Sequence, residues 1–141
     1  MQSKLKIRFA RENDWDEIEQ ITSQNFSFQG LADTGSDSLR VLILEFEDQV
    51  IGACILQTAK QALAYLTLLS LGIHSMWRKQ GFGTLLLATV KSLVVQESFL
   101  GIRMACQEEL VSYFEMNDFQ LEIEDKEEGV EGYHLMWHLS L

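Results

Sequence analysis

The chain has 141 residues, 47% hydrophobic and 23% charged, with a formal net charge of −10 and a pI near 4.6. That length fits one domain spanning residues 1–141, and the acidic balance argues against nucleic acid and anionic membrane as partners. Two cysteines, Cys54 and Cys106, are too few for a disulfide framework, and no run approaches the roughly 20 apolar residues of a membrane span.

The opening residues, MQSKLKIRFAREN, contain no apolar stretch long enough for a signal peptide, so the expectation is a soluble cytoplasmic domain. From Lys4 to Ala10, Leu5, Ile7 and Phe9 alternate with Lys4, Lys6 and Arg8, which predicts a half-exposed strand. Asn13 is placed to cap a helix whose first turn carries Asp14, Asp16 and Glu17, with Trp15, Ile18 and Ile21 as its buried stripe. Phe26 to Ser38 is rich in Gly, Ser and Asp and predicts a loop with room for one short helix. Leu39–Phe46 and Val50–Thr58 read as strands joined by the tight connection Glu47-Asp48-Gln49. Tyr65–Ile73 is apolar at both parities, as in a strand covered on both faces. Gly83–Gln96 predicts a nearly all-apolar, deeply packed helix. A short strand at Ile102–Cys106, a helix at Glu108–Asn117, and strands at Leu121–Ile123 and Tyr133–Leu139 follow. There is no internal repeat. This order predicts an α/β domain with a mixed, mostly antiparallel sheet.

Between the third long apolar run and the apolar helix lies Ile73-His74-Ser75-Met76-Trp77-Arg78-Lys79-Gln80-Gly81-Phe82-Gly83. A strand that ends in glycines before a helix can build an anion site. Glycine permits backbone angles and approaches that a Cβ forbids, and the first helical amides carry the positive end of the helix dipole. Arg78 and Lys79 add cations to an otherwise acidic chain. No Gly-Lys-Ser/Thr follows, so this is not a Walker A loop, and the three glycines of the dinucleotide fingerprint are missing. The pattern also fits a plain strand–helix turn with glycines for geometry.

Leu71 to Gly83 resembles the acyl-CoA binding motif of the GNAT superfamily of N-acyltransferases, L-A-V-x-P-x-x-R-x-x-G-x-G/A followed by a long helix. Ile7-Arg8-Phe9-Ala10 with Asp14, Ile18 and Ile21 is similar to that family's opening segment, and Tyr113 to Phe119 is similar to its late Y-x-x-x-G-F segment. The order of elements agrees along essentially the whole chain. The resemblance implies a sheet of six to seven strands, splayed after the fourth and flanked by about four helices. It implies acetyl-CoA as co-substrate. The backbone of Leu71 and Ile73 would pair with the pantetheine arm, and the amides of Lys79, Gly81, Gly83 and Thr84 would hold the pyrophosphate. Phe82 lies within the same loop, Arg78 would shape it, and Gln107 falls where the family often has a cofactor-contacting asparagine. Ser75 stands where proline is usual, Gly72 where alanine is, and Asp118 where glycine precedes phenylalanine. Aspartate tolerates left-handed backbone, so that turn can survive. The family's tyrosine falls on Phe114, beside Tyr113, and its glutamate on Thr67.

Transfer of an acyl group from a thioester to an amine needs a deprotonated amine, a stabilised oxyanion and a proton for the thiolate. Tyr113 is the candidate acid, and a backbone amide near Ile73 the oxyanion donor. His74 and Glu45 are candidate bases, with a loop-lining histidine and a solvated strand glutamate as their plain readings. Cys106 reads as a small buried thiol rather than a nucleophile. His134 and His138 share a strand face about 13 Å apart, too far for one metal ion, and read as structural. The sequence therefore points to a direct N-acetyltransferase acting on a small-molecule or peptide amine. In the resemblance the acceptor enters between the loop after the first helix and the loop joining the last two strands. There Asp33, Asp37, Glu124, Asp125, Glu127, Glu128 and Glu131 suit a cationic acceptor or, equally, a solvated acidic surface that keeps the protein soluble. A domain that binds acyl-CoA without chemistry is the alternative, and a homodimer is left open.

Overall fold

The computed structural model of the protein describes residues 4–22, 37–59, 65–122 and 132–139. In chain order these form β1 (Leu5–Phe9), α1 (Trp15–Thr22), β2 (Asp37–Phe46), β3 (Gln49–Ala59), β4 (Tyr65–Ile73), α2 (Phe82–Gln96), β5 (Gly101–Cys106), α3 (Glu108–Met116), β6 (Gln120–Leu121) and β7 (Tyr133–His138). The seven strands make one sheet in the order β1-β2-β3-β4-β5-β7-β6. Only β4 and β5 are parallel; all other neighbours are antiparallel. The mixed sheet agrees with expectation, whereas three α-helices rather than about four stand among the described residues. The short helix allowed between Phe26 and Ser38 lies outside the described residues up to 36, and Asp37 and Ser38 already belong to β2. Ile123 also lies outside them. Among the described residues no helix is long and apolar enough to cross a membrane.

Alternation along β2 assigns two cores to the two faces of the sheet. Leu42 and Leu44 pack with Leu86, Leu87, Val90 and Val94 of α2 and Phe114 of α3. Val41 and Ile43 pack with Ile18 and Ile21 of α1. Helix α2 packs through one face: Leu86, Leu87, Val90 and Val94 are buried, whereas Val95 is exposed, so the helix is less deeply packed than its composition predicts. Strand β4 departs from strict alternation. Ile55 pairs with Ser70 and Leu56 with Leu68, which leaves Leu69 as an extra residue. Such a bulge reverses the parity of the strand. Leu66 and Leu68 face α2 before it, and Leu71 and Ile73 face the same core after it, while Leu69 packs on the α1 side. The run of apolar residues at both parities therefore reflects this switch as well as cover on two faces.

The hairpin between β2 and β3 has two residues rather than three. Glu47 and Asp48 have φ of 49° and 65°, and Phe46 faces Gln49. Both central residues at positive φ match the hairpin turn whose twist suits the flanking strands.

Helix α1 starts differently from expectation. Asn13 does not cap it. Residues Glu12–Asp14 form a 3-10 turn, and the Asp14 carboxylate accepts from the Arg11 backbone N–H at 2.7 Å. The same carboxylate takes two bonds from Arg8, at 2.8 and 3.1 Å. Arg8 also reaches Glu45 at 3.4 Å. The Arg8 bonds, outweighing desolvation, hold Asp14 below the usual carboxylate range, and the same contacts raise Arg8. Trp15, expected in the buried stripe, is 37% exposed, whereas Ile18 and Ile21 are buried.

Two outcomes follow from this anchoring. Asp14 is depressed in the folded state, so its contribution is present above the unfolded pKa near 3.9 and lost as pH falls through the lower folded value. The stability difference between wild type and Asp14→Asn should be full at pH 7 and shrink below about pH 4; a difference constant down to pH 2 in urea titrations would contradict this. At Gly72, a Cβ would lie 2.7 Å from the Ile21 carbonyl oxygen. Gly72→Ala should therefore cost roughly 1–3 kcal/mol by forcing α1 off the sheet, read as a lower urea midpoint.

Candidate active site

The parallel ladder between β4 and β5 covers only four pairs, from Tyr65–Gly101 to Leu68–Met104. Beyond that, β4 stays paired with β3 as far as Ile73–Gly52, and β5 stays paired with β7 as far as Cys106–Tyr133. The two strands diverge while each is held by its outer neighbour. The gap is a cavity of about 400 Å³ lined by Leu68, Ser70 and Leu71 on one side, Met104 and Cys106 on the other, and Phe114 from α3. This is the splay expected after the fourth strand.

A second cavity of about 430 Å³ adjoins it and shares Leu71, Gln107, Leu110 and Phe114 with the first. Leu71, Ile73, Arg78, Lys79, Gly81, Phe82, Gly83, Thr84, Gln107 and Tyr113 all line it. The sequence thus named ten residues that the fold brings to one cleft. It did not name Trp77, Glu109 and Leu110, which also line it. Leu110 could have been found, because it shares one face of α3 with Tyr113 and Phe114 at spacings of three and four. Trp77 carried no such signal. It packs between Phe46 and Phe82, with ring centroids at 5.2 and 6.2 Å.

The glycines of the loop have separate roles. Gly81 is the N-cap of α2 at φ +86°, and a Cβ there would meet nothing within 4 Å. Its requirement is conformational. Gly83 is about space, since a Cβ there would lie 2.5 Å from the Tyr113 hydroxyl. The first helical bond runs from Leu85 N to Gly81 O at 3.0 Å, so the amides of Phe82, Gly83 and Thr84 precede the helix's own series. Lys79 also has positive φ, 64°. Arg78 Nε donates to Ile73 O at 3.0 Å, tying the loop to the end of β4. Ser75, in place of the usual proline, opens a 3-10 turn, Ser75–Trp77, capped by His74 Nδ1, which accepts from Met76 N at 3.2 Å.

Tyr113 is half-buried and its hydroxyl lies 3.4 Å from Thr84 Oγ1. Phe114 is 4% exposed and packs edge-on against Tyr113 and Phe119. Asp118 adopts φ 72°, so the turn that usually takes glycine is kept.

The remaining candidates are engaged elsewhere. Glu45 pairs with Arg8. Thr67 Oγ1 accepts from Arg103 Nε at 2.8 Å and lines neither cavity. His74 spends Nδ1 on its own turn. His138 Nδ1 is 2.9 Å from the Tyr65 hydroxyl, at the far end of β4 from the splay. Among the described residues no group of three or more His, Cys, Asp and Glu is placed to hold a metal ion. Cys106 lines the splay, and burial first, then Glu109, pushes its thiol up. Cys54 is fully buried and its thiol is pushed up to about 12 by desolvation.

A sequence model of the acetyltransferase (GNAT) family matches residues 6–119, most of the chain, and the protein belongs to that family. Solved structures share its fold. N-acetylglutamate synthase from Neisseria gonorrhoeae, complexed with coenzyme A and N-acetyl-glutamate, superposes with a TM-score of 0.80 at 18% identity, over 100% of this chain and 36% of that one. The chain thus spans about a third of that synthase. An acetyltransferase from Bacillus subtilis in complex with CoA gives 0.78 at 15% identity, covering 97% of this chain and 100% of that one. The ribosomal-protein-S18-alanine N-acetyltransferase from Escherichia coli gives 0.77 at 15% identity, covering 97% and 95%. No curated protein matches the sequence.

The two thiols should differ in reactivity, because the thiolate is the nucleophile. At pH 8 a thiol reagent should modify Cys106 slowly and Cys54 only after unfolding. Intact mass spectrometry of native protein should show at most one adduct; two would show that the core beneath α2 opens readily.

Proposed function

We propose that the protein is a cytoplasmic N-acetyltransferase that binds acetyl-CoA in the cleft and passes the acetyl group directly to an amine. The observation that carries this reading is continuity. One trough runs from the free amides at the start of α2 to the unpaired strand edges of the splay, with Leu71, Gln107, Leu110 and Phe114 common to both parts. An anion cradle joined to open backbone edges suits a ligand with a phosphate at one end and an amide-bearing arm at the other. Membership of the family and the coenzyme A in solved relatives support it.

The residues present fit such a ligand. Gly81 leaves open space where a side chain would stand. The amides of Lys79, Gly81, Gly83 and Thr84 would hold the pyrophosphate, Phe82 would border it, and Arg78 would set the loop through Ile73 O. Backbone groups of Leu71 and Ile73, past the end of the β4–β5 ladder, would bond the arm, with Gln107 facing them. Acetyl-CoA would supply the activated acyl group. A backbone amide near Ile73 would stabilise the oxyanion. Tyr113 is the acid candidate that the resemblance offers, and its hydroxyl stands beside Thr84 Oγ1 at the glycine loop.

The acceptor is an amine, and the acidic balance of the chain favours a cationic one. Of the residues behind this preference, Asp37 opens β2, while Asp33, Glu124, Asp125, Glu127, Glu128 and Glu131 lie outside the described residues. A second reading, acyl-CoA binding without chemistry, is favoured by the phenyl ring of Phe114 and by the hydroxyl of Thr67 held by Arg103. Release of free CoA thiol above background, with or without an amine, separates the two.

Calorimetry tests the cleft itself. Acetyl-CoA should bind wild type, and Gly83→Val should weaken binding at least about tenfold, because the branched side chain displaces Tyr113 and blocks approach to the α2 amides. The melting temperature should not fall, since the atom displaced is the tip of a movable ring and valine suits a helix better than glycine. Equal affinity in a folded Gly83→Val protein would refute the assignment.

A further inference from the structure

Helix α3 is fixed in rotation at its C-terminal end. Lys91 Nζ on α2 donates to Asn117 O at 2.6 Å, and Asn117 Nδ2 donates to Tyr113 O at 2.9 Å. The ammonium also lies 5.9 Å from the Phe119 ring centroid and 5.3 Å from that of Trp137. With the helix held this way, neighbouring side chains separated by about 100° have different destinations. Phe114 reaches the junction of the two cavities. Tyr113 lines only the cavity at the glycine loop. Its hydroxyl stands beside Thr84 Oγ1, in the space that the absent side chain of Gly83 leaves free.

That is the first turn of a 15-residue helix, where anions are stabilised. Resting on the reading of the cleft as an acetyl-CoA site, we propose that Tyr113 is a phosphate-binding residue. Its O–H, with that of Thr84, donates to the pyrophosphate held by the α2 amides. Tyr113 thus sets affinity for the phosphate-bearing half of the cofactor. The whole pantetheine arm separates pyrophosphate from sulfur, so one hydroxyl does not serve both ends. At the sulfur end Phe114 has no proton to give. As the N–C bond forms and the C–S bond breaks, the proton lost by the amine nitrogen is the one that reaches the thiolate, carried by water.

The test compares two ligands by calorimetry: CoA, and pantetheine, which has the arm but no phosphate. Tyr113→Phe removes one hydroxyl and little volume. It should weaken CoA about tenfold or more, as expected for a lost hydrogen bond to a charged group, and leave pantetheine unchanged. In turnover the loss should appear in KM for acetyl-CoA rather than in kcat. Equal weakening of both ligands would show that the ring merely packs on the arm, and no change in either would show that the hydroxyl is idle; both overturn the proposal. A fall in kcat with KM unchanged, together with loss of an alkaline limb in the pH profile, would mark an acid and also overturn it. Failure of CoA to bind wild type would instead sink the reading of the cleft.

Discussion

The arrangement depends on one break in a ladder of hydrogen bonds. Strands β4 and β5 part after Leu68 and Met104, yet neither frays. Strand β3 holds β4 to its end, and β7 holds β5 to its end. Two strand edges that have no ladder partner among the described residues therefore face one another across a gap, with Ile73 O taken by Arg78. Backbone groups on such edges need partners, and an extended, amide-bearing ligand can supply them. The bulge at Leu69 belongs to the same device. It returns Leu71 and Ile73 to the α2 core, so the diverging half of β4 stays anchored by apolar packing while its edge stays free.

The anion cradle proposed at the start of α2 sits on a chain of net charge −10. Long-range charge works against it, but screening confines exposed charges to roughly 8–10 Å at ordinary ionic strength. Local groups then decide. Arg78 and Lys79 stand at the loop, and the start of α2 adds oriented amides that carry no formal charge. The loop reaches this geometry through left-handed backbone at Lys79 and Gly81. One of these is not glycine, so part of the conformational cost, of order 1 kcal/mol, is carried by a lysine at the mouth of the cleft.

Much of this was readable in the chain. Period-two and helical spacing marked the strands and α2, and the two glycines between β4 and α2 marked the loop. What could not be read turned on single-residue steps. Residues Tyr65 to Ile73 are apolar at both parities, and sequence does not distinguish a strand buried on both faces from one that switches face at Leu69. Asn13 has the chemistry of a cap, but it falls inside a 3-10 turn whose N-cap is Arg11, where Asp14, held by Arg8 of β1, accepts from the Arg11 N–H. Trp15 is apolar and still 37% exposed, on a helix that buries Ile18 and Ile21. Each of these is a tertiary effect acting on an ambiguous local signal.

The same single-step ambiguity governs the centre of the cleft. Spacing alone leaves Tyr113 and Phe114 exchangeable, since both belong to one broad face of α3. Contacts outside that helix break the tie. Lys91 and Asn117 fix its rotation, Asp118 accepts the left-handed turn in place of glycine, and Phe119 receives the Phe114 ring. A phenyl ring is the better occupant of the buried position, because a hydroxyl there would need a partner. The phenol is accommodated at Thr84 because the residue is only half-buried and its oxygen has Thr84 Oγ1 as a partner. The hydroxyl therefore stands at the loop because core packing favours the ring without one, and a folding constraint sets which side chain faces the splay.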